Sequence, residues 1–109
     1  MQVAPEEVPD YRVVVVPWLR GPGQRLLVPN WLAITIGNRI FAWRPLDPAE
    51  LAHEVTHVRQ WRRYGLLFVA RYLRASWRAR RAGRDSYRDN VFERAAYDAA
   101  DAVRRAEAQ

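Results

Sequence analysis

The sequence contains no cysteine and no lysine, and it has no proline after Pro48. The absence of cysteine excludes disulfide bonds, cysteine-based zinc sites and a thiol nucleophile. No apolar run reaches the roughly 18 residues of a membrane-spanning segment. The first ten residues carry acids where a secretory signal would be basic and then apolar. We therefore expect a soluble protein of the cytoplasm.

Proline and alanine divide the chain into two parts of different structure. All seven prolines lie at or before Pro48, whereas thirteen of the sixteen alanines lie after it. Because proline interrupts helices and alanine favours them, we predict strands and loops first and helices afterwards. The length of 109 residues suits a single domain that spans the whole chain. The expected fold class is α+β, with a small N-terminal antiparallel sheet or hairpin followed by three helices.

The front part contains three strand signals. Residues 12–17 (RVVVVP) form a β-branched run that is typical of a strand. Residues 32–36 and 39–43 flank Gly37-Asn38, a dipeptide that suits the positive φ angles of a tight turn. The stretch LAITI-GN-RIFAW is therefore predicted to be a hairpin. The sequence GPGQ at residues 21–24 indicates a loop.

The first predicted helix has clear signals at both ends. Asp47 is a suitable N-cap, Pro48 occupies the first helical position, and Glu50 stands where a capping box needs an acid. The helix should continue to about Tyr64 and end at Gly65, since glycine favours the left-handed conformation after a helix.

This helix carries the motif HExxH, from His53 to His57. Residues i and i+4 lie one turn apart on the same face, so both imidazoles can reach one metal ion with Glu54 beside it. A chain of this composition would contain the motif by chance in about one case in five hundred. The alternative is that these are ordinary surface or core residues. A helical projection separates the two histidines from a solvated stripe with Arg59 and Arg63, and from a core stripe of Leu51, Val55, Val58 and Trp61.

Two histidines leave a catalytic zinc ion short of the three protein ligands that it usually has. Cysteine is absent, so the third ligand should be Asp, Glu or a less usual donor, and Glu93 is the preferred candidate. It follows His57 by 36 residues, which leaves room for one helix and a return. The alternative is that Glu93 is an acid favoured by the dipole of its own helix, and Asp89 and Asp98 are the reserve ligands. We place Glu93 at the edge of an apolar stripe formed by Phe92, Ala96, Ala99 and Val103.

HExxH on one helix and a glutamate on a later helix is the ligand pattern of the gluzincin branch of zinc metallopeptidases. The runs LAHEVTHVRQWRRYG and NVFERAAY resemble very short bacterial members of this branch, the minimal gluzincin-like domains, over about residues 32–100. The resemblance implies a zincin-like fold, Zn²⁺ bound by His53, His57 and Glu93, and Glu54 as general base. Larger gluzincins often have Asp four residues after the third ligand, and this chain has Tyr97 there.

The chemistry that the resemblance implies is hydrolysis of a peptide or protein substrate. Glu54 would take a proton from a zinc-polarised water that attacks the carbonyl, and an edge of the hairpin could hold an extended peptide. Tyr97 and Tyr64 are candidate hydrogen-bond donors to the oxyanion or to a ligand. An aromatic residue at the edge of the core is the commoner role for both.

The second and third predicted helices differ in charge. The second covers about residues 66–82 and ends at Gly83, and the third begins at Asp89 or Asn90, with Asn90 as a cap. On the second helix we expect a packing face of Val69, Ala70, Leu73 and Trp77. Its arginines recur as one stripe: Arg71, Arg74, Arg78 and Arg81.

The arginine stripe permits binding to nucleic acid or to an anionic surface, although a solvated face is more common. Residues 49–84 have a net charge of +7, whereas the whole chain has a net charge of +6. Two alternatives to an enzyme therefore stay open. One is a zinc-binding domain without catalytic activity, and the other is a basic module that binds nucleic acid or an anionic surface.

Overall fold

The computed structural model describes residues 9–21 and 32–109. A small sheet precedes three helices, so the predicted α+β arrangement is confirmed. Of the predicted GPGQ loop, residues 22–24 lie outside the described residues. The strands are β1 (Arg12–Val15), β2 (Ala33–Ile36) and β3 (Arg39–Ala42), and a 3-10 turn covers Pro17–Leu19. The helices are α1 (Pro48–Tyr64), α2 (Leu67–Arg81) and α3 (Val91–Glu107).

The sheet has the strand order β1-β3-β2. Strands β2 and β3 form the predicted antiparallel hairpin, and Gly37 has a φ of 63° in the turn between them. Strand β1 pairs in parallel with β3, so the sheet is mixed and not antiparallel throughout as predicted. A parallel neighbour needs a long crossover connection, and the chain between β1 and β3 is long enough to provide one.

Helix α1 begins and ends where the sequence predicts. The Asp47 side chain accepts a hydrogen bond from the Glu50 backbone N–H (2.7 Å), and the Glu50 carboxylate accepts one from the Asp47 N–H (3.0 Å). Both Glu50 oxygens also accept hydrogen bonds from the Arg44 guanidinium, at 2.9 and 2.7 Å. Gly65 ends the helix with a φ of 59°. These contacts fix the helix start against the end of the hairpin.

Helix α1 is the central element, since it contacts the sheet, α2 and α3. On its sheet side Val55 and Val58 form a small core with Ile40 of β3. On its α3 side the neighbours are small residues. Among them are Ala96 and Ala100 of α3, which are almost fully buried. The predicted solvated stripe is only partly correct: Arg63 is exposed but Arg59 is half-buried.

Helix α2 packs on a different face from the one predicted. Val69, Leu73 and Trp77 are exposed, whereas Phe68 is buried and Tyr72 is half-buried. The ring of Phe68 packs edge-on against Trp61 of α1 and against Phe92 of α3, with ring centroids 5.2 Å apart in both cases. The prediction was wrong because α2 carries two apolar stripes, and only contact with α1 and α3 decides which is buried.

Helix α3 begins after Asn90, whose side chain accepts a hydrogen bond from the Phe92 N–H (2.8 Å) as an N-cap. Its buried residues are Glu93, Ala96 and Ala100. Glu93 therefore lies within the buried face and not at its edge as predicted. None of the helices in the described ranges is long and apolar enough to span a membrane.

We expect Glu50→Gln to lower the free energy of unfolding by about 1 kcal/mol at neutral pH, because it weakens the cap of α1. The Arg44 guanidinium lowers the pKa of Glu50 in the folded protein. The contribution of this carboxylate is therefore present above its unfolded-state pKa and is lost as pH falls through the folded-state pKa. Urea unfolding at neutral and acidic pH measures the difference. Asp101→Asn, which removes an exposed ion pair with Arg104, is the control, and an equal loss in both variants would contradict the role of the cap.

Candidate metal centre

The two histidines of HExxH face one carboxylate of α3. The His57 Nε2 atom lies 2.8 Å from Glu93 Oε1, and the His53 Nε2 atom lies 3.3 Å from the same oxygen. One ligand atom from each side chain lies within 4.8 Å of the other two. Two imidazole nitrogens and one carboxylate oxygen are a donor set that catalytic zinc ions use. The predicted ligand residues are therefore close enough together to bind one ion.

The cluster is buried and charged. Glu93 is 4% exposed and His57 is 7% exposed. Burial alone would raise the pKa of Glu93, but hydrogen bonds from His53 and His57 outweigh it and lower this pKa to about 2. Burial also acts to lower the pKa of His57, and its contact with Glu93 reverses the direction. The carboxylate thus stays ionised, as a metal ligand must.

Gln60 orients the ring of His57. The His57 Nδ1 atom lies 2.8 Å from Gln60 Oε1, and Gln60 Nε2 donates to the Phe92 carbonyl at 3.0 Å. Because the amide nitrogen is used by Phe92, the atom that faces Nδ1 is an oxygen, which only accepts hydrogen bonds. Nδ1 therefore carries a proton, and Nε2 is the nitrogen that can bind a metal. Histidines that bind a metal usually donate a hydrogen bond from their other ring nitrogen in this way.

Tyr72 of α2 holds the other oxygen of Glu93. Its hydroxyl donates a hydrogen bond to Glu93 Oε2. Burial and the nearby Glu93 carboxylate both raise the pKa of Tyr72, so the hydroxyl keeps its proton. Asn90, which is fully buried, donates from Nδ2 to the Tyr72 carbonyl (3.0 Å) and to Ser76 Oγ (2.8 Å). The cap of α3 thereby fixes the part of α2 that positions Tyr72.

Glu54 lies beside the cluster and points towards β2. The Thr35 hydroxyl contacts Glu54 Oε1 at 3.3 Å and the Glu54 carbonyl at 3.4 Å. The Trp61 indole N–H donates to the Thr35 carbonyl at 3.0 Å, which ties the strand to α1. Burial raises the pKa of the Glu54 carboxyl, against the opposing effect of His57 and His53. Glu54 is therefore a more basic carboxylate than an exposed one.

The cluster opens into a cleft of about 800 Å³. Strand β2 lines one side of it, and the rings of Tyr72, Tyr87 and Tyr97 line another. The Tyr97 ring packs edge-on against His53, with centroids 4.6 Å apart. Burial raises the pKa of Tyr87. The cleft thus combines an apolar lining with the ionisable groups of the HExxH motif.

The other predicted site residues lie elsewhere. The Tyr64 ring packs against Phe92 at 5.9 Å, as an aromatic residue at the edge of the core. The Asp89 carboxylate accepts a hydrogen bond from the Asp85 N–H (3.0 Å), and Asp98 is exposed. Neither reserve acid belongs to the cluster of His53, His57 and Glu93 among the residues that the structure describes.

Three residues around the centre were not predicted: Thr35, Gln60 and Tyr72. Gln60 offered a signal, because it stands one turn after His57 on the same helix. Thr35 and Tyr72 come from other elements and offered no local signal. Comparisons of the chain with models of protein families, with curated proteins and with solved structures found no match.

We expect the purified protein to bind about one Zn²⁺ per chain, and Glu93→Gln to weaken zinc affinity at least tenfold, because a neutral amide is a poorer ligand. Isothermal titration with zinc and elemental analysis after dialysis measure this. Asp98→Asn, an exposed acid on the same helix, is the matched control. Equal zinc binding by wild type and Glu93→Gln would exclude Glu93 as a ligand, provided that circular dichroism shows both to be folded.

We expect Gln60→Leu to weaken zinc affinity by about 10–100-fold, because the ring of His57 loses the acceptor that fixes its tautomer. Gln60→Glu keeps an acceptor at this position and should retain affinity within a few-fold of wild type. The two variants are compared in the same zinc titration. Similar affinity in the wild type and in the leucine variant would show that the contact has no part in metal binding.

Proposed function

We propose that this protein is a zinc-dependent hydrolase, a small metallopeptidase of the gluzincin type. The observation that carries the proposal is the position of Glu54. This buried carboxylate lines the same cleft as His53, His57 and Glu93, and Glu54 directly follows His53 in α1. A general base beside a three-ligand metal site is the arrangement that metal-assisted hydrolysis needs.

The residues present fit a zinc ion by donor type and spacing. When bound there, zinc supplies Lewis acidity towards a water molecule and a carbonyl oxygen. Glu54 takes a proton from the attacking water and passes it to the leaving nitrogen as the C–N bond breaks. Burial raises the pKa of Glu54, which makes it a better proton acceptor than an exposed carboxylate. The Thr35 hydroxyl contacts one oxygen of Glu54, and Glu54 lines the cleft.

The shape of the cleft favours an extended peptide as substrate. Strand β2 lies at the edge of the sheet and lines the cleft. An extended chain could therefore add to β2 by main-chain hydrogen bonds while its side chains contact the aromatic wall. Tyr97 stays our candidate donor to the oxyanion. The hydroxyl of Tyr72 is already engaged by Glu93, so Tyr72 is a positioning residue.

We expect Glu54→Gln to lower the rate of peptide hydrolysis about 10²–10⁴-fold while it leaves zinc binding intact, since glutamine cannot accept the proton. The measurement is cleavage of a broad peptide library by zinc-loaded protein, read by mass spectrometry. Asp101→Asn, far along α3 and exposed, is the control. Unchanged hydrolysis by Glu54→Gln would overturn the proposal. Zinc binding by the wild type without any cleavage would favour a zinc-binding domain that has no catalytic activity.

A further inference from the structure

The outward face of α2, together with its N-cap residue Leu66, carries a row of exposed apolar side chains. Leu66, Leu73 and Trp77 are 86%, 61% and 56% exposed, and Ala70 lies exposed between them. Their spacing of four, three and four residues puts them on one side of the helix. We call these four residues the α2 ridge. It lies opposite the packed face, on which Phe68 and Ala79 are buried.

Arginines flank the ridge, and α2 itself contains no acid. Residues 55–84 contain nine arginines and neither Asp nor Glu. Arg71, Arg74 and Arg78 line a groove of about 410 Å³ between α2 and the start of α3, together with Arg84 and the acid Asp89. The guanidinium of Arg81 lies over the Trp77 ring instead, 5.1 Å from its centre. The single arginine stripe predicted from the sequence is therefore divided between the groove and the ridge.

We propose that the α2 ridge docks on the surface of an anionic phospholipid membrane. A helix that lies in the interface buries leucine and tryptophan among the acyl chains and keeps arginine at the level of the head groups. The ridge supplies the apolar residues, and the positive charge beside it complements the phosphate and serine groups of anionic lipids. The groove offers such head groups the arginines that line it, of which Arg71 also packs its guanidinium over the Tyr64 ring, 4.8 Å from its centre.

The apolar ridge distinguishes this partner from nucleic acid. Nucleic acid would engage the arginines but would leave Leu66 and Leu73 in water, because phosphates and base edges are polar. A second copy of the chain is disfavoured by charge. A twofold contact across the ridge would bring the arginines of both copies together without an acid on either α2 to pair with them.

The test is co-sedimentation of the full chain with vesicles of phosphatidylcholine alone and of phosphatidylcholine with 30% phosphatidylserine. We expect binding only to the anionic vesicles, weakened by salt. Leu66→Gln/Trp77→Gln and Arg74→Gln/Arg78→Gln should each weaken binding about tenfold or more. The control Arg12→Gln/Arg39→Gln removes the same charge from two paired, exposed sheet residues and should bind within about twofold of the wild type.

Several outcomes would overturn the proposal. These are absence of binding to anionic vesicles at low salt, equal binding to neutral vesicles, and equal losses in the control variant.

Two further measurements test nucleic acid and a second copy of the chain as partners of α2. Binding to a single-stranded oligonucleotide that needs the arginines but not the ridge, with no vesicle binding, would assign α2 to nucleic acid. A dimer in light scattering that Leu66→Gln/Trp77→Gln dissociates would assign the ridge to a second copy. Glu54→Gln should bind vesicles as the wild type does, so failure of the hydrolase proposal leaves this one standing.

Discussion

The three-helix part of this protein depends on the contacts that the buried carboxylate of Glu93 makes with side chains of the other two helices. An ionised side chain that is 4% exposed is stable only if hydrogen bonds and opposite charge replace the water it has lost. One oxygen of Glu93 faces the two histidines of α1, and the other accepts from Tyr72 of α2. A single carboxylate on α3 therefore joins all three helices, and the candidate metal centre and the helix packing are the same set of contacts.

The contacts around this carboxylate also fix the backbones that carry it. Gln60 links the ring of His57 to the Phe92 carbonyl, directly before Glu93, and Asn90 links the start of α3 to α2. The apolar core beside them is small. Its centre consists of three buried side chains, those of Ile40, Val55 and Val58. Polar contacts hence supply order that a larger protein would obtain from apolar packing. A metal bound at this place would be expected to stabilise the fold as well as the site.

Helix α2 serves two environments at once. Its inner stripe provides the ring of Phe68 for the core and the hydroxyl of Tyr72 for Glu93, whereas its outer stripe is the exposed α2 ridge. Both stripes have the spacing of a packed helix face. A substitution on one stripe is separated from the other by the width of the helix, so the site and the surface can be varied independently.

The sequence by itself determined the features that depend on local interactions. These include the hairpin around Gly37-Asn38, the capping box and glycine end of α1, the cap at Asn90, and the placement of two histidines on one helical face. The pairing of Glu93 with those histidines was also predictable, because two histidines are fewer ligands than a catalytic zinc ion uses and Glu93 was the preferred candidate for the third. Only the tertiary structure decided the parallel pairing of β1, the buried stripe of α2, and the positions of Thr35 and Tyr72 around the centre. Each of these depends on which side chains meet across separate elements. Periodicity along the chain cannot rank two apolar stripes of one helix until a neighbouring helix buries one of them.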